Sequence, residues 1–399
     1  MPDMDPKPPL HGVRVLEVSE TPSAAYGGRL LTGLGADVIW IEPPAGSPLR
    51  RSGGFPHDHP QRDSGALTLH LQRGKRSLTL DLNTRAGRRL WRRLQPDIVL
   101  CDLSPAKWGA WGLEPDTLLA ADPSLIVTSI TPYGATGPLQ DWQATELTAY
   151  AAGGYLRITG EPDREPIKAW GTQAQLQAGI HAALGASAAV RTRARDGKGQ
   201  HVDVSLAEAV SFLLGGTLQS AYFFDREPER NGTRLVGFGA GHAYPSTVRP
   251  CGDGFVHAHC NNRFPETLAV LFDEPRLAEP ALLRTMFGHA DEIDTLMAPR
   301  LERTDRATIV REAQALRIPF TEVLRPSEVL DDEAGHHASR EFLVRGEHPI
   351  AGAMTYPGAP IRLGAASWQD GVAPLLNADA ALWDEAARTR VRWRRAHVA

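Results

Sequence analysis

The chain has 399 residues, 42% hydrophobic and 23% charged, the balance of a soluble globular protein with room for two domains or one large domain carrying an insertion. A formal net charge of −4 gives no reason to expect nucleic acid or an anionic membrane as the main partner, and no apolar run approaches the ~18–20 residues that span a bilayer. Three cysteines, Cys101, Cys251 and Cys260, make no disulfide framework and fit a reducing cytoplasm.

The start, MPDMDPKPPL, lacks the basic and apolar regions of a signal peptide and is expected to be a short unstructured lead-in. Val13–Val18 (VRVLEV) then predicts a buried strand, Ala24–Leu34 a helix rich in small residues, and Asp37–Ile41 a second strand. Leu78–Leu82 is a further short strand, Thr84–Leu94 an amphipathic helix, and Asp97–Leu103 and Leu125–Ile130 two more strands. Apolar strands alternating with helices predict parallel βαβ units with both sheet faces covered. Ala149–Gly154 has the composition of the end of a buried helix, and Gln173–Arg191 is long, alanine-rich and helical. After a turn at Asp196–Gln200, His201–Ser205 is a short strand that feeds a helix over Leu206–Leu218. Charges and Asn231-Gly232 mark a break near Arg226–Arg234. From Tyr244 the pattern is β-like, with a turn at Cys251–Gly254, and helical patterns follow to about Ile318. A Pro- and Gly-rich run after Phe320 holds short strands, including Ala359–Leu363, and leads to a last helix near Ala378–Arg395. The expected organisation is a large α/β domain over 1–205, a linker helix at 206–228, a small domain at 229–325, and a return to the large domain over 326–399.

Several segments carry residues with chemistry. The first βα turn, Ser19–Gly28 (SETPSAAYGG), lacks the G-x-G-x-x-G of a dinucleotide-binding turn, although Glu42 ends the second strand where a ribose-binding acid would sit. Ser23, Ala24 and Ala25 are small enough to admit a phosphate to the helix N-terminus, or simply to pack helix on sheet. Lys75 and Arg76 precede LTLDL, either as a phosphate-binding pair or as surface charges. Arg88, Arg89, Arg92 and Arg93 recur at the spacing of a solvated helix face. His257 and His259 share a strand face beside Cys260, but no Cys-x-x-Cys accompanies them and no metal is expected. The G-x-S-x-G of many Ser-His-Asp hydrolases does not occur. Val236–Tyr244 (VGFGAGHAY) offers Gly237, Gly239 and Gly241 either as oxyanion-binding amides over an active site or as a plain loop. In Ile158–Pro166 (ITGEPDREP), Asp163 sits on a tight turn framed by Gly160, Pro162 and Pro166. Such a turn holds a carboxylate in place, and on the turn alone it is a solvated acid rather than a nucleophile.

The blocks LHGVRVLEV, LLTGLGADVIWIEPP, GKRSLTLDLNTRAG, ATGPLQDW, ITGEPDREP, DGKGQHVDVSLAEAV and YPGAPIRL follow one another from Leu10 to about Leu363. This ordered set resembles the class III coenzyme A transferases, the CaiB/BaiF family of formyl-CoA transferase and carnitine CoA-transferase. The resemblance implies a Rossmann-like large domain built from both chain ends, a smaller inserted α+β domain, and an interlocked homodimer. It implies an acyl-CoA and a small carboxylic acid as substrates, with the CoA thioester as substrate and no permanently bound cofactor. Asp163 matches the nucleophile of the family segment T-G-x-x-D-G-x-P, while Arg164 and Glu165 depart from it. CoA contacts are implied at Ser23, Ala24, Lys75, Arg76, Asp102, Leu103, Tyr133, Gly237 and Gly239. The family's A-G-P reads Ser23-Ala24-Ala25 here, and its N-F-R-P-G reads Asp102-Leu103-Ser104-Pro105-Ala106. Two cationic positions read Trp40 and Ala110, so charges that would meet CoA's phosphates are missing, with Lys75, Arg76 and Arg50 left to compensate. The family's racemases use a His and an Asp where this chain has Thr145 and Gln175, which argues against racemisation. Two alternatives to transfer stay open: a weakly active or inactive subunit of a hetero-oligomer, and an acyl-CoA isomerase using Glu146.

Overall fold

The computed structural model describes residues 7–224, 228–234, 244–260, 265–284, 288–364 and 366–384. By internal contacts the chain forms two units. The first takes the chain up to Gly153, Ala169–Leu213, and the chain from Ala334 onward. The second takes Gly154–Lys168 and Leu214–Glu333.

In the first unit, strands β1 (Arg14–Val18), β2 (Asp37–Glu42), β3 (Arg76–Thr79), β4 (Ile98–Cys101), β5 (Ile126–Thr131) and β6 (His201–Ser205) form one parallel sheet in the order β3-β2-β1-β4-β5-β6. Strands β4 and β5 are apolar or small at successive positions because helices cover both faces. Those helices are α1 (Pro22–Gly33), α2 (Ala66–Leu71), α3 (Arg85–Trp91), α4 (Pro105–Trp111), α5 (Pro115–Ala121), α6 (Glu146–Ala152), α7 (Gln173–Asp196) and α8 (Leu206–Phe212). Thr21 caps α1 and Pro22 takes its first position, where a missing N–H costs nothing. A buried stripe on α7, Ala174, Ala178, Ala182 and Ala186, gives it a small-residue face, and α7 packs extensively on α1. On a second face Ile39, Leu78, Val99, Trp91 and Trp108 make a core that Leu382 joins. The chain end also ties to edge strand β3, where the Ser77 amide donates to Asp379 (2.9 Å) and the Thr79 amide to Asn377 (3.0 Å).

The second unit holds α9 (Gly215–Phe224), the antiparallel strands β7 (Ser246–Cys251), β8 (Gly254–His259) and β9 (Thr321–Glu322), and helices α10 (Pro265–Phe272), α11 (Pro280–Arg284), α12 (Ala290–Leu301), α13 (Arg306–Ala315) and α14 (Pro326–Asp331). Its core includes Val256, Leu268, Ile293, Met297, Ile309 and Phe320. Back in the first unit, β10 (Leu343–His348) and β11 (Gly352–Pro357) form a hairpin.

Four local expectations change. The strand expected at Leu78–Leu82 runs over Arg76–Thr79. The helix expected over Leu206–Leu218 breaks at Leu213–Leu214, ahead of Gly215-Gly216, which weakens helical continuity. Alanine-rich α6 buries only Ala149 and Tyr150 rather than its whole end. Ala359–Leu363 is not a strand, since Pro360 lies within it and removes a ladder donor. Most of the last expected helix lies outside the described residues. Among those described, no helix is long and apolar enough to cross a membrane.

Candidate active site

The strand order reverses between β1 and β4, so their carboxyl ends flank the crevice where open α/β sheets bind ligands. The loop after β1 leads into α1, and Asp102 directly follows β4. The structure brings three of the expected contact residues together here. The carboxylate of Asp102 accepts from the Glu20 amide (2.8 Å), the Thr21 amide (3.1 Å) and hydroxyl (2.6 Å), the Ser23 hydroxyl (3.3 Å) and the Ala24 amide (3.3 Å). The α1 N-terminus, for which the small residues left a phosphate site or plain packing open, therefore already holds a carboxylate. Burial raises the Asp102 carboxyl, and the Thr21 hydroxyl and the three amides pull it back. Cys101 is no competing nucleophile, because burial and the neighbouring Asp102 push its thiol well up. Leu103 is buried in the core with Val99 and Trp108 rather than offered to a ligand. Tyr133 follows β5 and packs edge-on against Trp142, with ring centroids 6.2 Å apart.

The expected cations stand elsewhere. Lys75 is buried, and its ammonium donates to Glu17 (2.6 Å) and to the Ala25 carbonyl (2.7 Å), so it is not free for a ligand phosphate. Arg76 opens β3, at the end of the sheet opposite the crevice, and pairs with Asp37 at 3.3 Å. Arg50 is also buried: it binds Glu42 through two nitrogens (2.6 and 2.7 Å) and Asp63 (2.5 Å), and lies over the Trp40 ring. That pairing, with Ser77 donating to Glu42 at 2.6 Å, also removes Glu42 as a ribose acceptor. Sequence reasoning missed Glu17. The signal was there, since a carboxylate inside VRVLEV must be buried and needs a cation.

In the second unit, Asp163 is exposed and its side chain makes no hydrogen bond among the described residues. Its turn closes where the Ile167 amide donates to the Thr159 carbonyl (3.0 Å), and it joins Asn231-Gly232 where the Gly232 amide donates to the Gly160 carbonyl (3.0 Å). Gly237 and Gly239 lie outside the described residues. The rings of His257 and His259 stack 6.4 Å apart, and His259 Nδ1 lies 3.0 Å from the Ser246 hydroxyl.

Thr145 and Glu146 have helix-end roles in the first unit. Thr145 caps α6. Glu146 accepts from the Ala174 amide (2.8 Å) and the Gln175 amide (3.2 Å), which anchors the first turn of α7.

A sequence model of CoA-transferase family III matches residues 10–380. The chain belongs to CoA-transferase family III. It is 32% identical over 368 residues to succinyl-CoA:(R)-benzylsuccinate CoA-transferase subunit BbsE of Thauera aromatica, covering 87% of this chain and 86% of that one. It is 31% identical over 371 residues to succinyl-CoA–D-citramalate CoA-transferase of Chloroflexus aurantiacus, covering 90% and 89%. The crystal structure of a CaiB/BaiF family protein from Brucella suis superposes with a TM-score of 0.83 at 27% identity, covering 95% of this chain and all of that one. The parallel six-stranded sheet thus belongs to a family III fold, and the chain is a class III CoA-transferase.

Proposed function

We propose that this family III enzyme moves CoA from an acyl-CoA to a small carboxylic acid through covalent intermediates on Asp163. Asp163 carries the reading: an exposed carboxylate, free of side-chain hydrogen bonds among the described residues, stands where the family segment has its nucleophile. A carboxylate oxygen of Asp163 attacks the donor thioester carbon, the C–S bond breaks, and CoA leaves as a thiolate, giving a mixed anhydride. A thiol with a pKa near ~8.5 is a workable leaving group at neutral pH. The thiolate then attacks the Asp163 carbonyl, expels the donor acid and leaves an aspartyl-CoA thioester. The acceptor carboxylate reverses the sequence: it forms a second anhydride, takes CoA on its own carbonyl and restores Asp163. No proton or electron is gained or lost overall, and one hard exchange becomes several easier steps.

Succinyl-CoA is the proposed first donor, because both relatives described above carry it in their names. The crevice residues Ser23, Ala24, Asp102 and Tyr133 are proposed to border CoA, with Asp102 receiving donors such as hydroxyl or amino groups. We also propose a cytoplasmic homodimer. Three cysteines that form no disulfide suit that compartment. Exposed Leu218, Tyr222 and Phe223 on α9 are apolar surface of the kind that subunits cover.

The test is to incubate the chain with succinyl-CoA and quench it with hydroxylamine or borohydride. Peptide mapping is expected to find the modification at Asp163, and its absence across a broad acyl-CoA panel sinks the reading. A second reading, a subunit that needs a different partner chain, is favoured by the naming of the Thauera relative as a subunit and by the lost cations. Activity of the chain purified alone decides against it.

An isomerase acting through Glu146 is disfavoured by the engagement of that carboxylate at α7. Glu146→Ala is expected to cost about 1 kcal/mol of stability, as loss of a helix cap does. Transfer should stay within roughly threefold of wild type, since surface-level stability losses leave a folded active fraction. Melting and steady-state transfer assays check both.

A further inference from the structure

Four carbonyl oxygens around Asp163 converge on one guanidinium. Arg230 donates from Nε to the Glu161 carbonyl (3.0 Å), from Nη1 to that of Arg157 (3.4 Å), and from Nη2 to those of Pro162 (3.3 Å) and Arg164 (2.9 Å). Pro162 and Arg164 are the two chain neighbours of Asp163, so the guanidinium holds the backbone on both sides of the carboxylate. Two residues on, Gly232 has φ 59°, and a Cβ there would fall 2.2 Å from a Glu161 carboxylate oxygen. That left-handed backbone favours glycine, and any side chain there would also have to push the Glu161 carboxylate aside.

We propose that Arg230 is the positioning residue of the Asp163 turn. It holds the flanking carbonyls in one arrangement, so that the carboxylate keeps its place while it becomes anhydride, thioester and anhydride again. The proposal rests on the reading of Asp163 as nucleophile. Carbonyl oxygens gathered at one point repel one another, and a cation among them is what makes the gathering stable. A guanidinium offers five N–H donors in a rigid planar fork, whereas an ammonium offers three from one nitrogen. Lysine at this position would keep the charge and lose the geometry. A single ammonium nitrogen with three donors would leave at least one of the four carbonyls without its partner and loosen the turn.

The experiment compares wild type, Arg230→Lys and Arg230→Ala in single-turnover reactions with succinyl-CoA. The rate and final amount of hydroxylamine-sensitive CoA on Asp163 are measured beside the melting temperature. Displacement of a reacting group by about 1 Å costs up to ~100-fold, so Arg230→Lys should form the adduct roughly 10- to 100-fold more slowly. The final amount per folded chain should be unchanged. Added methylguanidinium should restore part of the rate to Arg230→Ala. A purely structural role would instead lower the amount of adduct in step with the folded fraction and leave its rate alone, and that result overturns the proposal. So does a folded Arg230→Lys within about twofold of wild type, or failure of both variants to fold, which would make Arg230 a folding residue. If wild type forms no adduct at Asp163 while succinyl-CoA still binds, it is the reading of Asp163 itself that falls, and this proposal falls with it.

Discussion

Asp163→Ala is expected to lower CoA transfer by roughly three orders of magnitude or more, because removing a covalent nucleophile removes the route and not merely an accelerating contact. The same change should leave the fold untouched. Asp163 is exposed and its side chain has no hydrogen bond among the described residues. A substitution of that kind usually shifts stability by no more than about 0.5 kcal/mol. Ligand binding should also persist, so CoA should still raise the melting temperature as any ligand of the native state does. Chromatographic assay of acyl exchange and a thermal melt with and without CoA give the three readings. A variant that keeps a tenth of wild-type transfer would remove Asp163 from the chemistry.

The second large effect is on stability. Glu17 and Lys75 have fully buried side chains that meet at 2.6 Å, with the Ser19 hydroxyl on the other carboxylate oxygen at 2.7 Å. A Cβ on Gly28 would sit 1.7 Å from Glu17, so α1 can pass over the pair only because that residue has no side chain. Burial pushes the Glu17 carboxyl up and the Lys75 ammonium down to about 8, each opposed by its partner's charge. Lys75→Met strands the carboxylate, and breaking a buried pair from one side costs about 3–5 kcal/mol. That is a large part of the ~5–15 kcal/mol that holds a typical domain.

The sign of the pH effect follows. Without its cation, buried Glu17 binds a proton in the native state at pH values where the unfolded chain, with a carboxyl near its ordinary value, does not. The native variant then holds more protons than the unfolded one, so its stability rises as pH falls toward that ordinary value. The deficit of Lys75→Met against wild type should be largest at neutral pH and shrink on acidification. The double change Glu17→Leu with Lys75→Met should recover most of it, since an apolar pair leaves no buried charge. Urea unfolding at two pH values measures all of this, and a single variant within 1 kcal/mol of wild type at neutral pH would contradict the pair's role.

The parallel sheet was legible because its strands are apolar runs at βαβ spacing. His201–Ser205 and the start of the long helix at Gln173 stand where the residues put them. Family membership was legible because an ordered series of short motifs carries more information than any of them singly. The fate of the charged residues was not. Glu17 and Lys75 lie 58 positions apart, and nothing local distinguishes a lysine that reaches a buried carboxylate from one that reaches a phosphate. Arg50 and Glu42 hid in the same way. Arg230 looked like part of a charged break, because backbone carbonyls are present at every residue and leave no sequence signal as partners. The grouping of Gly154–Lys168 with Leu214–Glu333 is likewise marked by no change of composition.

The carboxylate of Asp102 at the head of α1 has one more consequence. A tethered group occupies its site at an effective concentration that free solutes at millimolar levels do not match. Inorganic phosphate and sulfate therefore face an incumbent at this helix end.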